Sequence, residues 1–398
     1  MSEQPERLSV VKAVPARVLR HLEPALAGTG PAVAPVACDL EHATVDRAVT
    51  SLAPAEPLEA PGIAAVLTTS GSTGEPKGVL LSAAALRHSA TATLARLGGP
   101  GQWLLALPVD RIAGLQILVR TIVGGSPAPE LCTGDTGRFE PDAFVAATDR
   151  LTSGHRRYVS LVPTQLVRLL DSGPAAVEAL RSYDAILVGG AAANATLLAR
   201  ARSERLRIVT TYGMTETCGG CVYDGTPLDG VSVGLDPQGR IEIAGPVLFS
   251  GYRLRPDLTA SALVNGRHVT ADLGRIDEDG RLDVLGRSDD IVVSGGVNVP
   301  LPAVENTVAA LPSVAEAAVV GVPDPVWGTR VVAYVVVGPG AEAPTLPQVR
   351  EHVAGLHPRA FAPRRLVIVD ALPLLSSGKV DRAALIEKAV NGSDRAGA

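Results

Sequence analysis

Thr69-Ser70-Gly71-Ser72-Thr73-Gly74-Glu75-Pro76-Lys77-Gly78 follows directly on the apolar run Ile63 to Thr69. The run reads as a buried strand, and Ser82 reads as the cap of a helix through Leu94, which places the stretch between a strand and a helix. Its glycines let main-chain N–H groups approach the oxygens of an anion, its hydroxyls donate further bonds, and Lys77 adds positive charge. Such a loop suits a polyphosphate. It is not a Walker A loop, because Lys77 does not directly follow a Gly and is followed by Gly78 rather than Ser or Thr. A plain Gly/Ser turn is the bland reading of the same letters.

Outward from this stretch, Ile63 to Tyr212 alternates apolar runs with helical segments, the pattern of a mostly parallel sheet covered by helices. Trp103 to Leu107, Tyr158 to Val162, Ala185 to Val188 and Arg207 to Thr211 read as strands, and Gly114 to Val123 as a helix. After Gly225 short strands and Asp-Gly or Asn-Gly turns take over, with strands at Arg240 to Ile243, Val247 to Tyr252, His268 to Ala271 and Arg281 to Leu285. This is the texture of a small β subdomain. Beyond Gly286 a second mixed unit follows: helices near Ala303 to Leu311, at Leu346 to Leu356 and from Asp381, and strands at Ala317 to Val322, Arg330 to Val337 and Leu366 to Val369. A boundary at Arg287 to Asp290 is the simplest division. The Ala/Pro-rich stretch Pro24 to Pro61 reads as surface connection or as partly unordered chain.

A chain of 398 residues is long for one core and suggests two or three packed units. Hydrophobic residues at 46% against 19% charged exclude global disorder. A net charge of -5 with no basic stripe, and aromatics at only 3%, argue against nucleic acid as the main partner. No apolar run approaches the ~20 residues needed to cross a bilayer, and the polar N-terminus lacks a secretory pattern, so a cytoplasmic location is expected. Four cysteines make no disulfide framework, and the lone pair Cys218 and Cys221 lacks the further ligands of a zinc site. A homodimer is left open.

The ten-residue stretch resembles the phosphate-binding signature of the adenylate-forming superfamily of acyl-CoA synthetases, adenylation domains and luciferases. Four more segments resemble that superfamily's motifs in its order: Thr211-Tyr212-Gly213-Met214-Thr215-Glu216, Thr270-Ala271-Asp272-Leu273-Gly274, Gly286-Arg287-Ser288-Asp289-Asp290 and Ser377-Gly378-Lys379. The resemblance implies an α/β fold with a large N-terminal domain (1–286) of helix-covered sheets plus a small β subdomain. A hinge at 287–290 and a smaller mobile α+β C-terminal domain (291–398) complete it. The implied activity is ATP-dependent joining of a carboxylic acid to AMP, then transfer of the acyl group to coenzyme A, with Mg2+ as cofactor.

The roles implied by the resemblance attach to particular residues. Thr69, Ser70, Gly71, Ser72, Thr73, Gly74 and Lys77 would hold phosphates; Glu216 would ligate Mg2+, and Thr215 would donate to the α-phosphate. Tyr212 and Gly213 would flank the adenine, Gly189, Gly190 and Ala191 would pack against adenine and acid, and Asp272 with Arg287 would bind the ribose hydroxyls. Lys379 matches the catalytic lysine, Asp289 the hinge residue, and Gly295 with Gly296 the loop that lines the CoA tunnel. As isolated letters, Asp272 and Arg287 would be surface residues and Lys379 a solvated lysine.

Within the superfamily the chain is most similar to the branch that activates o-succinylbenzoate for menaquinone biosynthesis. The short region before the phosphate stretch, the run Tyr212 to Leu228, and the segment Leu107 to Leu115 carry that likeness. Arg111 stands where the acid-pocket motif usually has His. A dicarboxylic acid keeps one unreacted carboxylate that needs a cationic partner if buried, and Arg120, nine residues on, matches a position where related ligases carry an Arg. Both could equally be surface arginines of an amphipathic helix. Cys218 is expected to shape the pocket wall. The rival readings are another aryl- or acyl-CoA synthetase, an adenylation enzyme loading a carrier protein, and a non-enzymatic relative, the last disfavoured by the presence of Glu216 and Lys379.

Overall fold

A computed structural model describes residues 8–37, 49–70, 76–132, 139–193, 195–374 and 380–391. Its first sheet runs β1 (Leu8–Lys12), β2 (Ala32–Val36), β3 (Ile63–Ser70) and β4 (Pro76–Ser82); β1 to β3 are parallel, whereas β4 returns antiparallel to β3. The phosphate-type stretch therefore joins two antiparallel strands and not a strand to a helix. Val79, Leu80 and Leu81 are buried and alternate between the two faces of the sheet, Leu80 packing with Val66 and the other two with Leu67. So short an apolar run does not distinguish strand from helix by periodicity alone. The helix starts only at Ala83, capped as expected by Ser82, whose hydroxyl accepts the Ala85 N–H at 3.1 Å.

The expectation of surface chain in Pro24 to Pro61 is corrected by β2, whose five residues are all buried. A parallel strand covered on both faces shows only an unbroken apolar run. Leu52, from the same stretch, is also fully buried.

The second sheet contains β5 (Gly101–Leu105), β6 (Glu130–Leu131), β7 (Arg156–Leu161), β8 (Ala185–Gly189), β9 (Ile208–Met214), β10 (Gly219–Tyr223) and β11 (Thr226–Pro227) in the order β11-β10-β9-β8-β7-β5-β6. Its strands are parallel from β6 to β9, and β10 and β11 fold back antiparallel. Strand alternation divides its residues between two cores. Trp103, Tyr158 and Leu187 face α1 (Pro15–Leu26), α2 (Ala83–Arg96) and α3 (Ile112–Gly124), whose core includes the first sheet. Leu104, Val159 and Ile186 face the helices Pro141–Asp149, Pro163–Asp171, Pro174–Arg181 and Ala195–Ser203. The single parallel sheet expected over Ile63 to Tyr212 is thus two sheets sharing a helical layer.

A third sheet follows, built from β12 (Ser232–Leu235) and β13 (Arg240–Ala244), with β15 (Leu263–Val264), β16 (Arg267–Ile276) and β17 (Leu282–Arg287). The strand expected over Val247 to Tyr252 shrinks to β14 (Gly251–Tyr252), which pairs with β4 of the first sheet. The run is apolar because it crosses between cores: Val247 is buried in the β subdomain, Phe249 in the large core shared by the two sheets.

A single turn, Ser288–Asp290, leads to the last sheet of β18 (Ile291–Ser294), β19 (Val297–Pro300), β20 (Val314–Asp324), β21 (Gly328–Val337) and β22 (Arg365–Ile368). Val319, Val331 and Ala333 pack on the helices Leu301–Ala309 and Leu346–Leu356; Ala318, Val320, Val332 and Tyr334 pack on Arg382–Asn391. The helix at Leu346–Leu356 has the bounds expected of it, entered through a capping box in which Gln348 Oε1 accepts the Thr345 N–H at 2.8 Å.

Candidate active site

Glu216 stands at the centre. Strand β9 ends at Met214, and the turn Thr215–Thr217 carries Glu216 before Cys218 reverses the chain with a left-handed φ of 51°. Thr217 secures the turn, its hydroxyl accepting the Met214 N–H at 2.9 Å and donating to the Gly219 carbonyl at 2.8 Å. Lys77, at the start of β4, brings Nζ to 3.7 Å from Glu216 Oε1. Tyr252 donates its hydroxyl to the same oxygen at 2.8 Å, and its ring centroid lies 4.0 Å from the Lys77 ammonium. The two sequence candidates, 139 positions apart, are thereby brought together by a third residue that sequence reading missed. Gly71, Ser72, Thr73 and Gly74 lie outside the described residues; Thr69 and Ser70 are the last residues of β3, in register with Lys77 and Pro76.

A second cluster forms across the sheets. Tyr212 donates its hydroxyl to Asp272 Oδ2 at 2.7 Å, and Arg287 Nη1 lies 3.5 Å from Asp272 Oδ1. Asp272 and Arg287 are direct cross-strand partners in β16 and β17, so one pairing register places both. Burial first, and then the Asp272 charge, push the Tyr212 phenol upward, keeping it a neutral donor. His268, also missed in the sequence, is only 4% exposed and lies within electrostatic reach of Glu216, Lys77 and Asp272. Burial pushes its pKa down, partly opposed by Glu216, while Nδ1–H donates to the Ala262 carbonyl at 3.1 Å.

Close main-chain approach explains the glycines here. A Cβ on Gly189 would strike the Thr211 side chain, and one on Gly213 would strike the Gly219 carbonyl. Gly190 adopts φ 78° and leads into Ala191. Thr215 lies in the Glu216 turn, its carbonyl accepting the Cys218 N–H at 3.0 Å.

The two arginines expected to serve the acid pocket are set well apart by α3. Arg111 occupies the N-cap position without a side-chain cap, donating to the Thr68 carbonyl at 3.2 Å and pairing with Asp110 at 3.7 Å, so it faces β3. Arg120 lies nine residues, or about 13 Å, further along the helix axis. Arg120 is 4% exposed, and among the described residues no carboxylate pairs with it. It reaches Tyr223 Oη at 3.4 Å, stacks 4.9 Å from the Trp103 ring, and leaves a buried Nε without a hydrogen-bond partner. Burial lowers its pKa. Cys218 contributes main chain, its carbonyl accepting Gln116 Nε2 at 2.7 Å and Ser89 Oγ at 3.0 Å, while its thiol is fully buried. Burial raises both thiols of the pair, Cys221 to about 12, so neither ionises near neutral pH.

In the C-terminal portion Gly295 takes φ 58° and lies against Trp327, where an added Cβ would come within 2.8 Å of the ring; Arg364 stacks 3.2 Å from that ring's centroid. Gly296, at φ 79°, follows it in the β18–β19 turn. Asp289 belongs to the Ser288–Asp290 turn. Lys379 lies outside the described residues, but Leu374 and Val380, on either side of 375–379, form an antiparallel bridge.

Known proteins align with nearly all of this chain. The description "AMP-binding enzyme" matches residues 11–253, and "AMP-binding enzyme C-terminal domain" matches residues 303–379. A probable 2-succinylbenzoate--CoA ligase of Mycobacterium tuberculosis is 44% identical over 384 residues, 96% of this chain and 97% of that one. Among solved structures, an amide bond synthetase of Marinactinospora thermotolerans superposes with a TM-score of 0.82 at 26% identity, covering 97% of this chain and 90% of the other. The o-succinylbenzoate CoA synthetase of Bacillus subtilis in complex with its acyl-adenylate intermediate gives 0.72 at 26%, covering 95% and 82%. Those matches establish that the chain belongs to the AMP-binding enzyme family.

Proposed function

We propose that the chain is an ATP-dependent ligase that converts o-succinylbenzoate to its CoA thioester through an acyl-AMP. The observation that carries the choice of acid is Arg120, a buried cation on α3 with which, among the described residues, no carboxylate pairs. The kinship with the mycobacterial relative supports the same acid.

In this reading the triphosphate lies along the β3–β4 connection with Lys77 beside it, and Asp272 and Arg287 take the ribose hydroxyls while Tyr212 flanks the base. Among the described residues no cluster of three or more His, Cys, Asp or Glu side chains could hold a metal ion. One buried carboxylate with an oxygen to spare instead fits Mg2+, which is commonly held by a carboxylate or two together with the phosphates of its substrate. Glu216 Oε1 is taken by Tyr252 and Lys77, and among the described residues Oε2 accepts no hydrogen bond. Mg2+ bound there would neutralise charge on the departing pyrophosphate. The acid's carboxylate attacks the α-phosphorus, Thr215 donates to its oxygen, and Lys379 balances the charge that builds on the pentavalent phosphorus. In the second step the thiol of CoA attacks the acyl carbonyl and AMP leaves. We assign that step to a rotation about Asp289 that withdraws Lys379 and brings Gly295 and Gly296 to the pantetheine path.

The test is labelled pyrophosphate exchange into ATP over a panel of acids, followed by thioester formation with CoA. Exchange with o-succinylbenzoate well above exchange with benzoate is expected; no exchange with any acid would end the proposal. The 295–296 turn offers a separate check. Gly295→Ala forces an alanine into the left-handed region, at a cost of about 1–2 kcal/mol, so thioester formation should slow roughly five- to thirtyfold as the turn shifts. Pyrophosphate exchange, which does not use that turn, should be unaffected in the same preparation.

A further inference from the structure

We infer that Tyr252 is the positioning residue that sets the geometry of both Glu216 and Lys77, aiming one carboxylate oxygen at the metal and one ammonium at the phosphates. The inference rests on the reading of Glu216 as the Mg2+ ligand. Tyr252 lies 36 residues from Glu216 in the chain yet donates its hydroxyl to Oε1 at 2.8 Å, inside a site where Glu216 is only 8% exposed. A planar carboxylate with one oxygen held has the direction of the other fixed as well, and here the other is Oε2. The same ring lies 4.0 Å beneath the Lys77 ammonium, so one side chain touches both charged groups, through its oxygen and through its π face.

The surroundings are built to keep Tyr252 in place. Its main chain pairs with Val79 of β4, two residues from Lys77, and its N–H donates to Thr259 Oγ1 at 2.8 Å. Phe249 packs on its ring at 4.9 Å and donates its own N–H to the Glu216 carbonyl at 2.9 Å, so residues 249 to 252 hold Glu216 by main chain and side chain together. On the other side Arg253 has a fully buried side chain that donates to the carbonyls of Leu52, Ala53, Glu56 and Pro57 and to the Glu59 carboxylate.

Two substitutions separate the two contacts. Tyr252→Phe deletes the hydroxyl and keeps the ring; Tyr252→Leu deletes both. With protein in excess over a non-hydrolysable ATP analogue, Mn2+ titrated by electron paramagnetic resonance should bind Tyr252→Phe roughly tenfold or more weakly, the usual effect of losing a partner behind a metal ligand. Metal-free binding of the analogue should be unchanged in Tyr252→Phe and weakened in Tyr252→Leu. Pyrophosphate exchange by Tyr252→Phe should recover at high Mg2+, which loss of fold would not do. Unaltered Mn2+ affinity in Tyr252→Phe, or a loss of exchange that excess Mg2+ leaves in place, overturns the inference. Glu216→Gln is the control: if it leaves Mn2+ affinity intact, the metal reading of Glu216 fails and takes the inference with it. If Glu216→Gln weakens Mn2+ while Tyr252→Phe does not, only the role of Tyr252 is refuted.

Discussion

Lys379→Ala is expected to reduce labelled pyrophosphate exchange by roughly a thousandfold while leaving the conversion of supplied acyl-AMP and CoA to thioester nearly intact. An ammonium about 4 Å from the developing charge, at an effective dielectric near 20, interacts by about 4 kcal/mol, which is the stated factor in rate. Beyond this lysine, Asp381 and Arg382 are well anchored. The Asp381 N–H donates to the Pro373 carbonyl at 2.8 Å, and Arg382 makes two hydrogen bonds to the Glu305 carboxylate at 2.8 and 3.0 Å and a third to the Val319 carbonyl at 2.8 Å. Measuring the two half-reactions separately is decisive, because equal loss in both would remove Lys379 from the chemistry of the first alone.

Arg120→Met should do two opposite things. A guanidinium without an opposite charge is costly to bury, and replacing buried ionic groups with apolar side chains of similar volume is often neutral or stabilising by about 1–4 kcal/mol. The midpoint of thermal unfolding should therefore rise. Recognition should fall at the same time: a hydrogen bond to a charged group contributes about 1.5–3 kcal/mol, so KM for o-succinylbenzoate should increase roughly ten- to hundredfold. KM for benzoate, which has no second carboxylate, should stay put. A variant that is less stable and equally poor with both acids would mean that Arg120 serves the core and not the substrate.

Much of the site was legible because its letters are chemically specific: a hydroxyl- and glycine-rich stretch with a lysine, a carboxylate just after a strand, an Asp and an Arg at the ends of β-subdomain runs. Their order along the chain carried the fold. What escaped notice did so for physical reasons. Tyr252 and His268 sit in runs that read simply as short strands, and nothing in a single sequence says which aromatic or imidazole will face a carboxylate contributed from another strand. The apolar run at Val79 to Leu81 is too short for its period to distinguish a returning strand from the helix that follows. Ala32–Val36 looked like linker because alanine and proline dominate it, although all five residues are buried. Arg120 was read as either pocket or surface, and its burial excludes the surface reading.

The pairing of Asp272 with Arg287 carries a consequence for the order of events. Arg287 is the last residue before the Ser288–Asp290 turn, so the sugar of the nucleotide would be clasped at the root of the connector and not out on the swinging part. On the proposed mechanism, a rotating tail would then change its facing between the two chemical steps without loosening the adenylate, and the mixed anhydride would stay shielded from hydrolysis until the thiol arrives.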